Sequence, residues 1–419
     1  MATTPEPRPA GAPVNGGLRA LFHSDFRHYL ASRFCAGMAL TMLRTAVAWH
    51  VFALSHSAFQ LGLIGLVQFI PALSLALLGG AVADTYDRRR VMMLAQAVPL
   101  ACAPVLAVAT LHGTIGLPLL YGVVLLVAVA AAFDNPSRAA LLPTLVAREV
   151  FPRAVTIAST NQALAFVTGP AIAGFVIAGA GIAAVYAVYG TLIAGSLVGL
   201  FFIRPRPAEA ARRALSVRAI REGLVYVRHH PVILGCMTLD MFAVIFGGAS
   251  ALLPIYASDI LHVGARGYGV LTSSLDFGAL LTSIVLTAVP PITRAGRALL
   301  FAVCAYGLAT IMFGCSRWFP LSVLAYMAVG VADQLSVVMR STAIQLSTPD
   351  ELRGRVSSVN FIFIGASNQL GAVESGFVAA LTSAPFAVIS GGVGCLIVLA
   401  AVTVLLPELR RYRIGQRVV

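Results

Sequence analysis

The stretch Gly79-Gly80-Ala81-Val82-Ala83-Asp84-Thr85-Tyr86-Asp87-Arg88-Arg89-Arg90 ends in seven residues that hold two carboxylates and three guanidinium groups. Apolar runs flank it on both sides, at 58–83 and 91–111. Each is long enough for a hydrocarbon core of about 30 Å, which takes about 17–25 residues to cross. A tight, basic turn between two such runs predicts a helical hairpin that crosses a membrane twice. Working outward, further runs lie at 27–54, 117–137, 154–178 and 181–203, then at 231–257, 267–288, 298–315, 318–344, 356–382 and 385–406. That makes twelve expected spans, six on each side of a hydrophilic linker. Composition agrees, with 59% hydrophobic and only 11% charged residues in a 419-residue chain, against about 25% charged in soluble domains. Mean hydropathy is +0.89. These values exclude a soluble globular enzyme, and they exclude disorder, whose signature is low hydrophobicity.

The net charge of +13 would suggest nucleic acid in a soluble chain. All 29 basic residues are Arg, and their placement explains the charge instead. With both termini cytosolic, 24 of the 29 fall in cytosolic segments. Only Arg266 and Arg317 fall outside, while Arg33, Arg44 and Arg340 lie within spans. This is the positive-inside pattern for an even number of spans, and no nucleic-acid partner is expected. The six Cys sit in apolar runs without CxxC spacing and read as buried small hydrophobes.

The expected layout is a polar, Pro-rich cytosolic tail at 1–25, six-helix bundles at 26–203 and 231–406, an Arg-rich linker at 204–230 and a basic tail at 407–419. The first segment lacks the apolar core of a signal peptide. Within the linker, Pro205 and Pro207 stop the sixth helix. Ser216 is placed to cap a short amphipathic helix with Ile220, Leu224 and Val227 on one side. A shift of 202 residues aligns Arg138 with Arg340, Glu149 with Glu351, Arg153 with Arg355, and Gly169 with Gly371. An offset of six spans makes the two halves parallel repeats, the arrangement in which bundles rock around a site near the midplane.

The loop Gly80-x-x-x-Asp84 with Arg88 and Arg89 resembles the signature loop of the major facilitator superfamily, although Thr85 and Asp87 depart from its pattern. The resemblance implies a cytosolic latch in which Asp84 faces the start of span eleven and Arg88 pairs with Asp134 at the end of span four. An ordinary positive-inside turn capped by acids is the plainer alternative. Thr168-Gly169-Pro170-Ala171-Ile172-Ala173-Gly174 in span five is similar to the superfamily's antiporter motif, matching at Gly169, Pro170 and Gly174. The alternative there is a packing kink, since Pro deletes a backbone hydrogen bond and small residues allow close helix approach. Closer resemblance is to the enterobactin-exporter-like branch. It rests on Asp134-Asn135-Pro136-Ser137-Arg138, on Pro349-Asp350-Glu351-Leu352-Arg353-Gly354-Arg355, and on Ser367-Asn368-Gln369-Leu370-Gly371-Ala372-Val373-Glu374-Ser375-Gly376. It implies a monomeric transporter in a bacterial cytoplasmic membrane. Its partners would be the lipid bilayer, protons and a small amphipathic substrate such as a siderophore, with a proton gradient in place of any cofactor. Broad drug efflux and import remain open within that fold.

Ionisable groups at membrane depth cost about 2.5–3.5 kcal/mol each on insertion scales, so they are functional candidates. Arg33 and Arg44 are eleven residues apart in span one, which puts them on one helical face. Either both face a central cavity or Arg33 sits at the cytosolic interface. Asp240, Asp276, Asp333 and Glu374 are the deep carboxylates, all in the C-terminal half. Glu374 and Asp276 are the favoured proton sites, and Asp333 with Arg340 could instead form a structural charge pair seven residues apart. Arg138 and Arg340 are assigned to the cytosolic gate with the signature loop.

A membrane-embedded enzyme is the rival class, because Asp84-Thr85-Tyr86-Asp87 could pass for the metal–diphosphate motif of a prenyltransferase. Its repeat-related loop at 289–297 contains no acid, and three Arg would compete for the carboxylates. No HExxH, GxSxG or phosphate-cradling Gly-Lys loop occurs, so neither an ATP-driven pump nor a metal site is expected.

Overall fold

The computed structural model describes residues 24–204, 217–290 and 292–413. The expectations for the first tail, for Pro205 and Pro207, for Ser216 and for the last six residues therefore lie outside the described residues. So does the side-chain placement of Ile220. The fold is all-α. In the N-terminal half, α1 is Ser24–Ser55, α2 Ala58–Ser74, α3 Ala76–Thr85, α4 Arg88–Leu111, α5 Leu117–Leu145, α6 Phe151–Ala180 and α7 Ile182–Phe201. The linker helix α8 is Val217–His229. In the C-terminal half, α9 is Pro231–Phe246, α10 Gly264–Ala288, α11 Ala295–Cys315, α12 Phe319–Ser347, α13 Asp350–Leu381, α14 Ala384–Leu405 and α15 Pro407–Arg411.

Among the described residues, ten helical segments are long and apolar enough to cross a membrane, and the bent pair α2/α3 makes an eleventh. The 32-residue α13 has the length of a span. It carries Asn360, Asn368, Gln369 and Glu374, and this polarity sets it apart from the others. Counted with it, the described helices are consistent with the twelve expected spans.

Two spans are broken where the apolar runs predict unbroken helices. Pro71 interrupts the hydrogen-bond ladder of α2, and the chain bends by 51° between the α2 and α3 segments. Span seven stops at Gly247-Gly248 and continues as a 3₁₀ turn, Ala249–Leu252, and a π turn, Tyr256–Ile260. Tyr306 donates its hydroxyl hydrogen to the Gly247 carbonyl at 3.2 Å, so the break does not leave that acceptor bare.

Other ends have ordinary causes. Asp87 caps α4 by accepting from the Arg89 N–H at 3.0 Å. Gly181, at φ 84°, ends α6 and lets α7 reverse at once. The segment beyond α14 is docked rather than free. Leu409 and Tyr412 are buried, and the Gly296 N–H donates to the Tyr412 carbonyl at 3.3 Å.

The halves meet along α2–α13 and α6–α10. Both seams depend on glycine. A Cβ on Gly376 would stand 2.5 Å from the Gly62 Cα, and one on Gly174 would stand 2.7 Å from the Gly269 Cα. These positions lie near the start of α2 and α10 and the end of α6 and α13, on the membrane face opposite the Arg-rich loops. Trp49 stacks on Tyr268 across the same end, with ring centroids 5.4 Å apart. At the Arg-rich face, α3 turns away and packs on α5, with no comparable contact to α13. The far-face ends of the two halves are in close contact through these glycines.

Candidate substrate pathway and gates

Arg44 projects from α1 into the cleft between the halves. It is exposed there, and it makes no hydrogen bond or ion pair among the described residues. Asp276 of α10, on the opposite half, is its electrostatic partner. Asp333 of α12 is in turn within electrostatic range of Asp276. Tyr306 and Tyr326 border these carboxylates. A guanidinium from one bundle thus faces the Asp276 carboxylate of the other without a direct ion pair, and Asp333 is coupled to Asp276 in turn.

Arg33 does not share this setting. Its Nη1 donates to the Tyr29 hydroxyl at 3.0 Å, one turn back on α1. Glu374 is half-buried on α13 and accepts from the Ser375 hydroxyl at 3.3 Å. It stands two residues before the Gly376 seam, beside the break in span seven. There a Cβ on Gly248 would lie 2.7 Å from the Gly371 carbonyl carbon and 2.8 Å from the Ser375 Oγ.

Several expectations need correction. The sequence places Asp240 in the pathway and Arg340 at the gate, but the two pair with each other inside the C-terminal half. They are 7% and 2% exposed, so neither reaches the cleft. Arg340 therefore pairs between helices α12 and α9, and not with Asp333 on its own helix. Nor does Arg88 pair with Asp134. It donates to the Ala140 carbonyl at 3.1 Å, because Asp134 is already engaged within the bundle. Asp134 accepts from Arg138 Nε at 3.1 Å and from Gln96 at 3.0 Å.

These contacts belong to a closed ring that no spacing in the sequence signals. Ser196 donates to Gln96 Oε1 at 2.7 Å and lies 2.9 Å from the Ser32 hydroxyl, which Arg138 Nη1 meets at 3.5 Å. Five side chains from α1, α4, α5 and α7 complete one another. Arg138 is thus a tie within the N-terminal bundle. Of the remaining gate residues, Arg89 closes the end of α7 by donating to the Leu200 and Phe201 carbonyls at 2.9 and 2.6 Å. Asp84, near the end of α3 and a helical turn beyond Gly80, makes no hydrogen bond or ion pair among the described residues.

In the span-five motif, Gly169 packs on Thr41 and the Met38 carbonyl of α1. Gly174 forms the seam with α10, and the Pro170 carbonyl lies 2.6 Å from where a Gly269 Cβ would stand. The motif therefore joins the halves as well as bending its helix.

A parallel pair of six-helix bundles with a charged cleft between them is a transporter architecture, and comparison with known proteins agrees. The family model described as "Transmembrane secretion effector" (MFS_3) matches residues 16–414. The chain belongs to this family of the major facilitator superfamily. It is 26% identical over 400 residues to the enterobactin exporter EntS of Escherichia coli O1:K1, covering 93% of this chain and 94% of that one. Strain SMS-3-5 of the same species has a relative of the same name at the same identity and coverage.

Solved structures share the fold. The nucleoside transporter NupG has a TM-score of 0.66 at 14% identity, covering 92% of this chain and 98% of its own. A bacterial homologue of the human lysosomal transporter Spinster, in an inward-facing and unoccupied conformation, has a TM-score of 0.66 at 14% identity, covering 95% and 97%. The chain is a multi-pass membrane transporter of this family.

Proposed function

We propose that this transporter exports an anionic, amphipathic small molecule of the siderophore class in exchange for protons. It lies in a bacterial cytoplasmic membrane with both termini in the cytosol. In that orientation the glycine seams close the periplasmic side, so we read the conformation as the one that loads substrate from the cytoplasm. The observation that carries the reading is Arg44. An exposed guanidinium at membrane depth, with Asp276 near it but neither hydrogen-bonded nor ion-paired to it among the described residues, is costly unless a ligand supplies the counter-charge. Export is supported by similarity to proteins named as enterobactin exporters. Glu374, half-buried beside both the far-face seam and the helix break, is the proposed proton carrier. Rocking of the bundles about the cleft then alternates its access.

Asp276 and Asp333 favour a second reading, broad efflux of organic cations, because the two carboxylates lie within electrostatic range of each other in the half opposite Arg44. Inside-out vesicles with an acidic lumen separate the two. The protein should accumulate an anionic catecholate only while the gradient lasts, and Arg44→Gln should weaken its binding at least tenfold. Unchanged affinity in that variant, or uptake of lipophilic cations alone, would transfer the assignment to the carboxylates. Glu374→Gln should abolish gradient-driven uptake while leaving exchange of substrate across the membrane intact.

A further inference from the structure

The linker helix α8 has one face clamped to the C-terminal bundle. Val227 is buried in its core, and Tyr226 donates to the Ser347 carbonyl at 3.2 Å at the end of α12. Glu222 pairs with Arg355 of α13 at 2.7 Å. Gly223 lies so close to α13 that a Cβ there would stand 2.8 Å from the Arg355 carbonyl oxygen. Partial burial raises the Tyr226 phenol above its ordinary range, so it remains a neutral donor.

The rest of the helix is open, including Leu224, which stands out to solvent although the sequence places it on the side of Val227. Leu224 and Val225 are 46% and 51% exposed, and Arg221, Arg228 and His229 are exposed beside them. Between α8 and the first turns of α13 lies a notch of about 540 Å³. Arg221, His229, His230 and Arg355 line it, with Glu222 as its one acid, already held by Arg355.

Chain continuity sets the depth of this notch. Only His230 separates α8 from Pro231, the first residue of a membrane-crossing span. His230 also stacks on Tyr226 at 3.7 Å. The notch is therefore held at the level where a helix enters the bilayer, the zone of lipid headgroups. An amphipathic helix with exposed Leu and Val flanked by Arg, at that depth, has the chemistry of an interfacial element. Basic residues beside it attract anionic lipid.

The two imidazoles fit this role. Nδ1 of His229 and His230 lies 2.8 Å from the Val225 and Tyr226 carbonyls, respectively. A carbonyl can only accept, so each Nδ1 carries a hydrogen. Nε2 is then the free position, and it becomes a second donor on protonation.

From these placements we propose that the α8–α13 notch binds the phosphate headgroup of an anionic phospholipid, with Arg221 and His229 as its principal contacts. Arg355 stays engaged with Glu222 and forms the floor. The occupant is a lipid rather than a soluble phosphate ester because the exposed Leu224 and Val225 adjoin the notch at bilayer level, where acyl chains meet them. The site also has leverage. α13 runs unbroken from the notch through Glu374 to the Gly376 seam, so a lipid held at one end bears on the helix that closes the other.

The test is native mass spectrometry of the full chain, purified with equal amounts of phosphatidylglycerol and phosphatidylcholine. The wild type should retain phosphatidylglycerol in at least threefold preference. Arg221→Gln/His229→Gln should lose that preference. Arg228→Gln, on the same helix but outside the notch, should keep it. Both notch side chains are exposed, and each single variant is measured with the double variant, so a folding defect in one does not end the test. An unchanged preference in the single and double variants overturns the proposal. Equal loss in Arg228→Gln also overturns it, since that would reflect bulk charge. Displacement of the lipid by millimolar glycerol 3-phosphate would show a soluble-anion site and overturn the lipid assignment. None of these outcomes depends on what the central cleft transports.

Discussion

Adding one methyl group at the Gly62–Gly376 contact should shift the balance between the two access states. In Gly376→Ala the new Cβ would lie 2.5 Å from the Gly62 Cα and 2.8 Å from the Ala58 carbonyl oxygen. Non-bonded carbons are comfortable at about 3.5–4.0 Å. Both neighbours are backbone atoms, so no rotamer change relieves the clash, and α2 and α13 must separate by about 1 Å. Overpacking of this kind costs about 1–3 kcal/mol, and the cost falls only on the conformation whose far face is closed. The intrinsic helix preference for Ala over Gly is common to both conformations and cancels. The expected result is a shift of roughly 5- to 150-fold toward the state open at the far face. Double electron–electron resonance between spin labels on the far-face ends of α2 and α13, with the six native cysteines replaced, reads this population directly. Gly179→Ala is the control, because a Cβ there meets nothing within 4 Å. An unchanged distance distribution in Gly376→Ala, or an equal shift in Gly179→Ala, would refute the reasoning.

Other variants probe the charges. Asp240→Asn leaves Arg340 buried without its counter-charge and should destabilise the protein by about 3–5 kcal/mol, seen as an early melt in detergent. Joint replacement by Leu at 240 and Met at 340 should restore most of that loss, and failure to do so would mean the pair has a role beyond mutual compensation. Gln96→Leu opens the polar ring of the N-terminal bundle, leaving Ser196 and Asp134 each short of a partner. A loss of about 1–3 kcal/mol is expected, while the Arg44 site is untouched and substrate affinity should hold. Asp276→Asn removes the negative charge facing Arg44 and should tighten binding of an anionic substrate about fivefold or more at neutral pH, measured by equilibrium binding.

The spans are legible because a membrane-crossing helix writes its length into an apolar run, and most ends fall within three residues of expectation, although α5 runs on to Leu145, α13 starts at Asp350 and the first helix of span seven stops at Phe246. The breaks are less visible. Gly247-Gly248 and Pro71 are signals for interrupted helices, but membrane helices tolerate both residues where neighbours re-satisfy the backbone. The change to a 3₁₀ turn at Ala249, with the Ala249 N–H and the Tyr306 hydroxyl both donating to the Gly247 carbonyl, shows that the first break is real. Charge partners are legible by type and not by identity. Arg340 and Asp333 share a helix at a spacing of seven, which suggests a pair. Helix rotation and the position of α9 bring in Asp240 instead. Arg138 and Arg340 match in the repeat, and both do reach across their bundles. Yet one ends in a five-membered ring and the other in a single ion pair, because Gln96, Ser196 and Ser32 have no matching side chains 202 residues later.

The placement of Arg44 against Asp276 constrains how an anion and a proton can be coupled. While Asp276 is ionised it competes with an anionic substrate for the field of Arg44. Once protonated, it leaves that field to the substrate. By linkage, a proton on Asp276 and an anion on Arg44 favour each other's binding. A carrier using only this pair would move both in the same direction. Exchange of one for the other requires that substrate binding expel a proton, so the exchanged proton must sit on a carboxylate outside the Arg44 pair. Glu374 meets that requirement. It lies on α13, hydrogen-bonded to Ser375 beside the Gly248 break, where closing or opening the far-face seam changes its surroundings directly. Asp276→Asn should therefore leave proton-driven export running while altering affinity, and Glu374→Gln should stop the drive and remove the fall in substrate affinity that protonation of Glu374 causes. The reverse pattern would assign the proton to Asp276 and make the protein a symporter.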